Sequence, residues 1–338
     1  MGVIGAAASC IARAVLIPLI AAVIATCGST PTVFAQAWKP DKPIEIIIPG
    51  GAGGGPDRTA RVMQKIWRDS GTVNVPINVV NKAGGGGNLA YTYLNQVAGD
   101  GHYLATMTPT LLTNHILGIS PFNYTDFTTL SVLTSEYIAF AVNAESSIRS
   151  GNDLIERVRK NPDSVSFAIA TSRGNGNHIA LALVMKAAGI DATKLKIVLF
   201  KASIDATTAM MGGHVDAVAT PASTYDPVMG TGKVRIIAIA APARVGGQYA
   251  AVPTWKEQGI NVVMPSFRTL IAPRGLTPAQ TAFWDNAIAR LTRSDAWKKE
   301  LDETERDSVY MNSVDSRKFL DAQYAQYKAI LTELGLVK

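Results

Sequence analysis

From Trp38 onward, short runs rich in β-branched apolar residues alternate with amphipathic segments of helical period. This alternation is typical of β-α units wound on a parallel sheet, because each helix carries the chain back to begin the next strand in the same direction. The sequence therefore predicts an α/β fold. The predicted strands cover residues 44–48, 77–80, 103–107, 138–142, 165–170, 196–199, 217–220, 236–240 and 267–272.

Helix boundaries are marked by capping signals. The spacing of a capping box occurs at residues 150–153 and again at residues 277–280, where a proline also occupies the first helical position. These signals predict helices that run to about residue 160 and about residue 290. A final helix is predicted over residues 316–334, with one apolar face to bury and Gly335 just past its end.

The first 37 residues have the layout of a cleavable secretory signal. Arg13 precedes an apolar run over residues 14–25, and Ala35 and Ala37 form an A-x-A site before Trp38. The run is shorter than the roughly 20 residues that a membrane-spanning helix needs. We therefore predict export to the periplasm, with cleavage near Ala37.

Both cysteines, Cys10 and Cys27, lie in this segment. Cys27 is weakly similar to a lipoprotein attachment site, with Thr26 where a smaller residue is usual, so a lipid anchor is the alternative to cleavage at Ala37. If the signal is removed at Ala37, the mature chain contains no thiol. Cysteine nucleophiles, disulfides and thiolate metal sites are then excluded.

The charge balance favours anionic small molecules over nucleic acid. The chain has 32 basic and 26 acidic residues, and loss of Arg13 with the signal leaves 31 and 26, a net charge of +5 spread along the sequence. The four histidines lack the H-x-x-x-H and H-E-x-x-H spacings, and no G-x-S-x-G motif occurs. We therefore expect no metal, no cofactor and no catalytic centre.

Three glycine-rich segments each stand between a predicted strand and a helix, at residues 49–57, 81–88 and 172–178. Glycine lets the backbone approach a ligand closely, and the N–H groups of the following helix start point at the same place. Ligands of open α/β sheets bind outside the carboxyl ends of the strands. The three loops therefore predict a shared site whose natural occupant is an anion.

A nucleotide is one anion that such loops bind. The dinucleotide fingerprint G-x-G-x-x-G is not completed in the first or third loop. Only its relaxed form, which ends in alanine, occurs, at Gly85, Gly87 and Ala90. No G-K-[ST] phosphate loop is present. The sequence argues against a nucleotide ligand.

Taken together, these motifs resemble the TctC or Bug family, the extracytoplasmic solute receptors of tripartite tricarboxylate transporters. The family's P-F-x-x-G-G-x-x-D loop is matched at residues 49–57, with Gly50 in place of the aromatic residue. Its N-x-x-G-A-G-G-N loop is matched at residues 81–88, and its G-x-G-S-x-x-H-L loop at residues 174–178 with a shorter spacing to the histidine. The same order continues with F-K-A at 200–202, M-G-G-H-V-D at 211–216, G-K-V-R at 232–235 and A-P-x-G-x-T-P at 272–278.

The resemblance covers residues 38–338 and implies the type II periplasmic binding protein fold, in which two lobes with mainly parallel sheets are joined by crossing hinge strands. The expected lobes are residues 38–137 with 243–338, and residues 138–242. It also implies a monomeric receptor that closes on a small carboxylate and delivers it to the permease subunits of a membrane transporter. Two alternatives stay open: a sensor subunit for a signalling partner, and a secreted enzyme that acts on a carboxylate.

In the family, backbone N–H groups of the first and third loops hold a ligand carboxylate, often through water, and this implies the binding residues here. Asp57 and His178 also suit ordinary capping and packing roles, and Arg173 and Lys201 also suit solvated surface positions. The predicted ligand-binding residues are Gly50, Gly51, Gly53, Gly54, Gly55, Asp57, Thr108, Ser172, Arg173, Gly174, Asn175, Gly176, Asn177, His178, Lys201, Ser203, Pro221 and Ser223.

Overall fold

The computed structural model describes residues 38–304 and 306–337. The predicted signal segment, with both cysteines and the cleavage site, lies outside the described residues. Among the helices of residues 38–304 and 306–337, none combines the length and the apolar character of a membrane span.

The strands form one mixed sheet, and all nine predicted strands are present. The sheet order is β2-β1-β3-β9-β4-β7-β5-β6, with β8 and β10 also paired to β4. The strands are β1 (Ile44–Ile48), β2 (Ile77–Asn81), β3 (Tyr103–Met107), β4 (Thr128–Asn143), β5 (Ser166–Ala170), β6 (Lys196–Phe200), β7 (Ala217–Pro221), β8 (Val234–Ile239), β9 (Pro265–Ala272) and β10 (Asp307–Ser308).

The two ends of the sheet are parallel and its middle is antiparallel. Strand β1 pairs in parallel with β2 and β3, and β5 pairs in parallel with β6 and β7. Between these groups, β9 runs antiparallel to β3 and β4, and β4 runs antiparallel to β7 and β8. The inner parallel strands β1, β5 and β7 are almost entirely buried, as expected where helices cover both faces of a parallel sheet. All five residues of β5 are buried.

Strand β4 is much longer than the predicted strand at residues 138–142. It begins at Thr128, and its first part pairs with β9 and β10 while its last part pairs with β7 and β8. The first part was missed because Thr129, Ser131 and Thr134 look like a polar loop in the sequence. In the fold these three residues are buried within the sheet.

The helices that follow the strands pack on both faces of the sheet. Both predicted capping boxes are confirmed: Ser150 with Asp153, and Thr277 with Gln280, exchange side-chain and backbone hydrogen bonds. The helices are α1 (Gly55–Asp69), α2 (Asn88–Asn95), α3 (Thr110–Ile116), α4 (Gly151–Lys160), α5 (Gly176–Ala187), α6 (Ser203–Met211), α7 (Pro278–Arg293), α8 (Asp295–Glu303) and α9 (Ser313–Glu333).

Helix α9 closes the fold at the C-terminal end of the chain. It buries Leu320, Tyr327 and Leu331 and packs against β4 and α3. Gly335 follows in the left-handed conformation, with φ of 68°, as its predicted role in ending the helix requires. The apolar face of the last predicted helix is therefore buried against the central strand of the sheet.

Candidate ligand-binding site

The carboxyl ends of β1, β3, β5, β6 and β7 meet at one cavity, which we call the first cavity. Strand β9 is antiparallel to its neighbours, so its beginning lies at the same edge and contributes Pro265, Ser266 and Arg268. The remaining lining residues are Pro49, Gly50, Gly51, Gly54, Gly55, Pro56, Gly86, Tyr91, Thr108, Pro109, Thr110, Ala170, Thr171, Asn175, Gly176, Asn177, Lys201, Ala202, Ser203, Pro221 and Thr224.

Three helices begin at this cavity: α1 at Gly55, α5 at Gly176 and α6 at Ser203. The N-cap residues of α1 and α6 are Gly54 and Ala202, and neither helix has a side-chain cap. The first-turn N–H groups of these two helices are therefore not occupied by capping side chains. Helix N-termini carry a partial positive charge, so three of them at one cavity favour an anion there.

The start of α5 is held by Asn175. Its Oδ1 accepts from the His178 N–H at 3.0 Å, and its Nδ2 donates to Thr171 Oγ1 at 3.1 Å. Thr171 has φ of 71° and is the one non-glycine residue with positive φ in the described part of the chain. A β-branched residue rarely adopts this conformation, and such strain clusters at ligand sites. The strain lies on the rim of the first cavity.

Asp57 fixes the shape of the first glycine loop. Its buried carboxylate accepts from the Gly53 N–H at 3.0 Å and from Arg61 Nε at 3.0 Å. Burial acts to raise the pKa of Asp57, but the hydrogen bonds from Arg61 and Gly53 outweigh it and hold the pKa below its ordinary value. Asp57 therefore stays ionised and links the first glycine loop to α1 without lining the first cavity.

Asn114 in α3 connects the second and third glycine loops. Its Nδ2 donates to the Gly86 carbonyl at 2.9 Å, and its Oδ1 accepts from Ser172 Oγ at 2.9 Å. Gly86 has φ of 65°, and a Cβ there would lie 2.5 Å from Asn114 Nδ2. Position 86 therefore requires glycine for both its conformation and this close contact.

A buried ion pair lies at the cavity wall. Arg268 Nη2 donates to Glu136 Oε1 at 2.7 Å, and both side chains are at most 3% exposed. Glu136 Oε2 accepts from the Ser223 N–H at 2.8 Å, and Arg268 Nη1 donates to Ser266 Oγ at 3.0 Å. Both charges are paired and hydrogen-bonded, which is the condition for keeping ions out of water.

The guanidinium of Arg268 lies directly beside the start of α1. A Cβ built on Gly55 would be 2.6 Å from Arg268 Nη2 and 3.4 Å from Nε. The Nε atom is buried and has no hydrogen-bond acceptor among the described residues. Glycine at position 55 thus makes room for the guanidinium in the wall of the first cavity.

An ion network stands behind the first loop. Arg58 in α1 contacts Glu300 at 2.9 Å and Asp226 at 3.4 Å, and Glu300 also pairs with the buried Arg306 at 2.6 Å. Burial raises the pKa of Asp226 to about 6, against the lowering effect of a hydrogen bond from Tyr249 and of the Arg58 charge. Asp226 is therefore protonated more readily than an ordinary aspartate.

A second cavity lies on the other side of the third loop. Arg173, Gly174 and His178 line it, with apolar residues from the segment after α3, from α5 and from the C-terminal segment. Burial, with a smaller effect of the Arg173 charge, lowers the pKa of His178 to about 4. The Gly174 N–H donates to His178 Nδ1 at 2.8 Å, so the neutral ring carries its proton on Nε2. His178 thus stabilises the third loop.

The structure brings most of the predicted binding residues together. Gly53 and Asp57 do not line the first cavity but bond to each other in the loop beside it. Ser172 donates to Asn114, and the Ser223 N–H donates to Glu136. Arg173, Gly174 and His178 line the second cavity. The predicted residues that line the first cavity are Gly50, Gly51, Gly54, Gly55, Thr108, Asn175, Gly176, Asn177, Lys201, Ser203 and Pro221.

Sequence reasoning missed several lining residues. Gly86 belongs to a recognised glycine loop but was not assigned to the site, and its motif could have indicated it. Thr171 precedes the third loop and carries no sequence signal for its positive φ. Arg268 was not assigned to the site, because nothing near it in the sequence identifies Glu136 as its partner.

Comparison with known proteins gives one family. A family model described as the tripartite tricarboxylate transporter family receptor, TctC, matches residues 60–336. A curated protein of Cupriavidus necator, named for its position in the gbd 5' region, is 28% identical over 307 residues, which cover 90% of this chain and 91% of that protein. The region that the family model matches, residues 60–336, contains the second and third glycine loops and most of the residues around the first cavity.

Solved structures give the fold. The periplasmic binding protein BugD has a TM-score of 0.81 at 21% identity and covers 88% of this chain and 99% of its own. MatC from Rhodopseudomonas palustris with bound malate has a TM-score of 0.78 at 21% identity and covers 86% of this chain and 99% of its own. A second R. palustris protein, with adipate, has a TM-score of 0.81 at 22% identity, with 88% and 98% coverage. The predicted α/β periplasmic binding protein fold is confirmed.

Proposed function

This chain belongs to the tripartite tricarboxylate transporter family of receptors, and from that premise we propose that it binds a small carboxylate in the first cavity. The bound form would be presented to the permease subunits of a membrane transporter. Capture without chemical change is the role that the description of the family as a receptor supports.

The observation that carries the proposal is the charge character of the first cavity. Three helix N-termini face it, and its lining, which lies entirely in the described part of the chain, contains Lys201 and Arg268 but no Asp or Glu. Because Glu136 already pairs with Arg268, the favourable field comes mainly from backbone N–H groups and Lys201. This combination favours a carboxylate over a cation or a neutral sugar.

The size of the cavity points to a small acid. Its volume is about 90 Å³, well below the roughly 300–1,000 Å³ of pockets that hold drug-sized ligands. Malate and adipate, which are bound by two structural neighbours, are acids of this size class. A compact dicarboxylate or a similarly small carboxylate is therefore the ligand class that we propose for this chain.

We further propose that residues 38–137 with 243–338, and residues 138–242, act as two lobes that close on the ligand. In support, β4 pairs with β9 up to residue 137 and with β7 from residue 138 onward. Elements of both proposed lobes meet at the first cavity, where a Cβ on Gly51 would be 3.1 Å from Ala202 Cβ. A ligand that contacts both sides stabilises the closed form, because only differential affinity shifts such an equilibrium.

A thermal-shift screen of the mature protein tests the ligand class. The panel contains malate, adipate, citrate, glutamate and benzoate, with glucose and spermidine as neutral and cationic controls. An acid at 100 times its Kd should raise Tm by roughly 5 °C, because only the native state binds it. The proposal fails if glucose or spermidine raises Tm and none of the acids does.

Calorimetry and matched variants then locate the site. Lys201→Gln removes a charge from the cavity and should weaken binding of the best acid several-fold. Lys196→Gln changes an exposed lysine at the start of β6, the strand that ends just before Lys201, and should leave binding of the acid unchanged. Recovery of the acid unaltered after incubation, measured by mass spectrometry, supports a receptor, whereas turnover would indicate an enzyme.

A further inference from the structure

Arg268 presents a buried hydrogen-bond donor at the first cavity. Its side chain is 3% exposed and lines the cavity, yet its Nε–H has no acceptor among the described residues. Burying a donor without an acceptor is costly, so such donors are rare in folded proteins. Because Arg268 lines the first cavity, a ligand bound in that cavity can supply the missing acceptor.

The position of this donor is fixed by its neighbours. Nη2 is held by Glu136 at 2.7 Å and Nη1 by Ser266 at 3.0 Å, so the guanidinium plane has little freedom to rotate. The Nε atom lies beside Gly55, the first residue of α1, whose amide region is itself free of a side-chain cap. The donor and the helix start are thus close enough to serve one bound group.

We propose that the Nε–H of Arg268 donates directly to a carboxylate of the ligand, beside the first turn of α1, and makes this residue a determinant of specificity for carboxylates. This inference rests on the proposed function, because it requires a carboxylate ligand. Glu136 cancels the charge of Arg268, so the residue acts as an oriented donor and not as a free cation. The ligand acceptor completes the hydrogen bonding of the guanidinium.

Arg268→Lys separates the donor from the charge. Lysine keeps a positive charge that can pair with Glu136, but it has no Nε–H in the plane of the guanidinium. Loss of one charge-assisted hydrogen bond should weaken binding of malate and adipate about tenfold or more in titration calorimetry. Affinities of Arg268→Lys equal to those of the wild type would overturn the inference.

Arg235→Lys is the matched control, because it makes the same change at an arginine that does not line the first cavity. Arg235 donates to the backbone carbonyls of Ser146 and Ile148 at 3.1 and 3.2 Å. Affinity for malate and adipate should equal that of the wild type, although the protein is less stable. A tenfold loss in Arg235→Lys as well would show that the loss in Arg268→Lys is a general effect of replacing a hydrogen-bonded arginine, and would overturn the inference.

A spectroscopic measurement follows the donor itself. The Arg268 Nε–H resonance, assigned by its absence in Arg268→Lys, should shift downfield in ¹H–¹⁵N spectra when the wild type is saturated with malate or adipate. An unchanged resonance at saturation contradicts direct donation. If the wild type binds no acid at all, the inference falls together with the proposed function; if it binds acids and Arg268→Lys binds them equally well, only the inference falls.

Discussion

Replacing Gly55 by alanine places a methyl group against the guanidinium of Arg268. The new Cβ would lie 2.6 Å from Nη2, and the guanidinium must retreat by about 0.8 Å to reach ordinary contact distance. Nη2 is bonded to Glu136 at 2.7 Å, so the same movement strains the buried ion pair. Gly55 has ordinary helical φ, so the substitution imposes no backbone strain and the effect is steric.

Two opposing contributions set the size of the effect. Alanine in the first turn of α1 stabilises the helix relative to glycine by up to about 1 kcal/mol. Overpacking in a filled interior costs about 1–3 kcal/mol, and weakening a buried charged hydrogen bond adds a comparable amount. The steric cost exceeds the helix gain, so we expect Gly55→Ala to be destabilised by about 1–3 kcal/mol and, under the proposed function, to bind its carboxylate ligand more weakly.

Urea unfolding of Gly55→Ala beside Gly50→Ala measures this cost. Gly50 lines the same cavity, but a Cβ there meets no atom within 4 Å and its φ is ordinary, so its unfolding free energy should stay within about 0.5 kcal/mol of the wild type. Equal stability of Gly55→Ala and the wild type would refute the described contact. Equal destabilisation of both variants would show that the loop, and not Arg268, responds to added bulk.

Three further outcomes are expected. Gly151→Ala places a Cβ 2.6 Å from the fully buried ring of Trp255 and should lower the unfolding free energy by about 1–3 kcal/mol, whereas Gly230→Ala, with nothing within 4 Å, should be neutral in the same urea assay. The native pKa of Asp226 is near 6, against an ordinary value of 3.8. The unfolding free energy of the wild type should therefore rise by about 1–3 kcal/mol relative to that of Asp226→Asn as pH falls from 7 to 4. A difference in unfolding free energy that stays constant with pH would contradict the raised pKa. The native pKa of His178 is near 4, against an ordinary value of 6.5. The unfolding free energy of the wild type should therefore fall by a similar amount relative to that of His178→Asn over the same pH range. A difference in unfolding free energy that does not change with pH would count against the burial of His178.

Features that depend on local backbone chemistry were predictable from the sequence. The glycine loops, the capping boxes and the apolar parallel strands are encoded by residues that lie next to each other in the chain, and the carboxyl-end rule then places the loops at one edge of the sheet. Eleven of the predicted residues, among them Gly51, Asn175 and Lys201, line the first cavity for this reason. Their part in ligand binding stays a prediction.

Features that depend on distant pairing were not predictable. Arg268 and Glu136 are separated by 132 positions in the sequence, and they become partners only because β9 aligns with β4 so that Ser266 lies opposite Glu136. The same holds for Asn114, whose two bonds join loops that are far apart in the chain. A charged residue inside an apolar strand gives no indication of its partner, and its burial follows only from the register of the sheet.

The pairing of Arg268 with Glu136 has a consequence for how the cavity distinguishes anions. A lone buried arginine would attract any anion, including chloride, by charge alone. With its charge cancelled, it contributes a donor in a fixed direction, and the helix starts around it likewise contribute oriented N–H groups. In the proposed binding mode, selection would depend on where an anion places its oxygens, and an acid whose two carboxylates reach separate donors would gain over a spherical ion of equal charge.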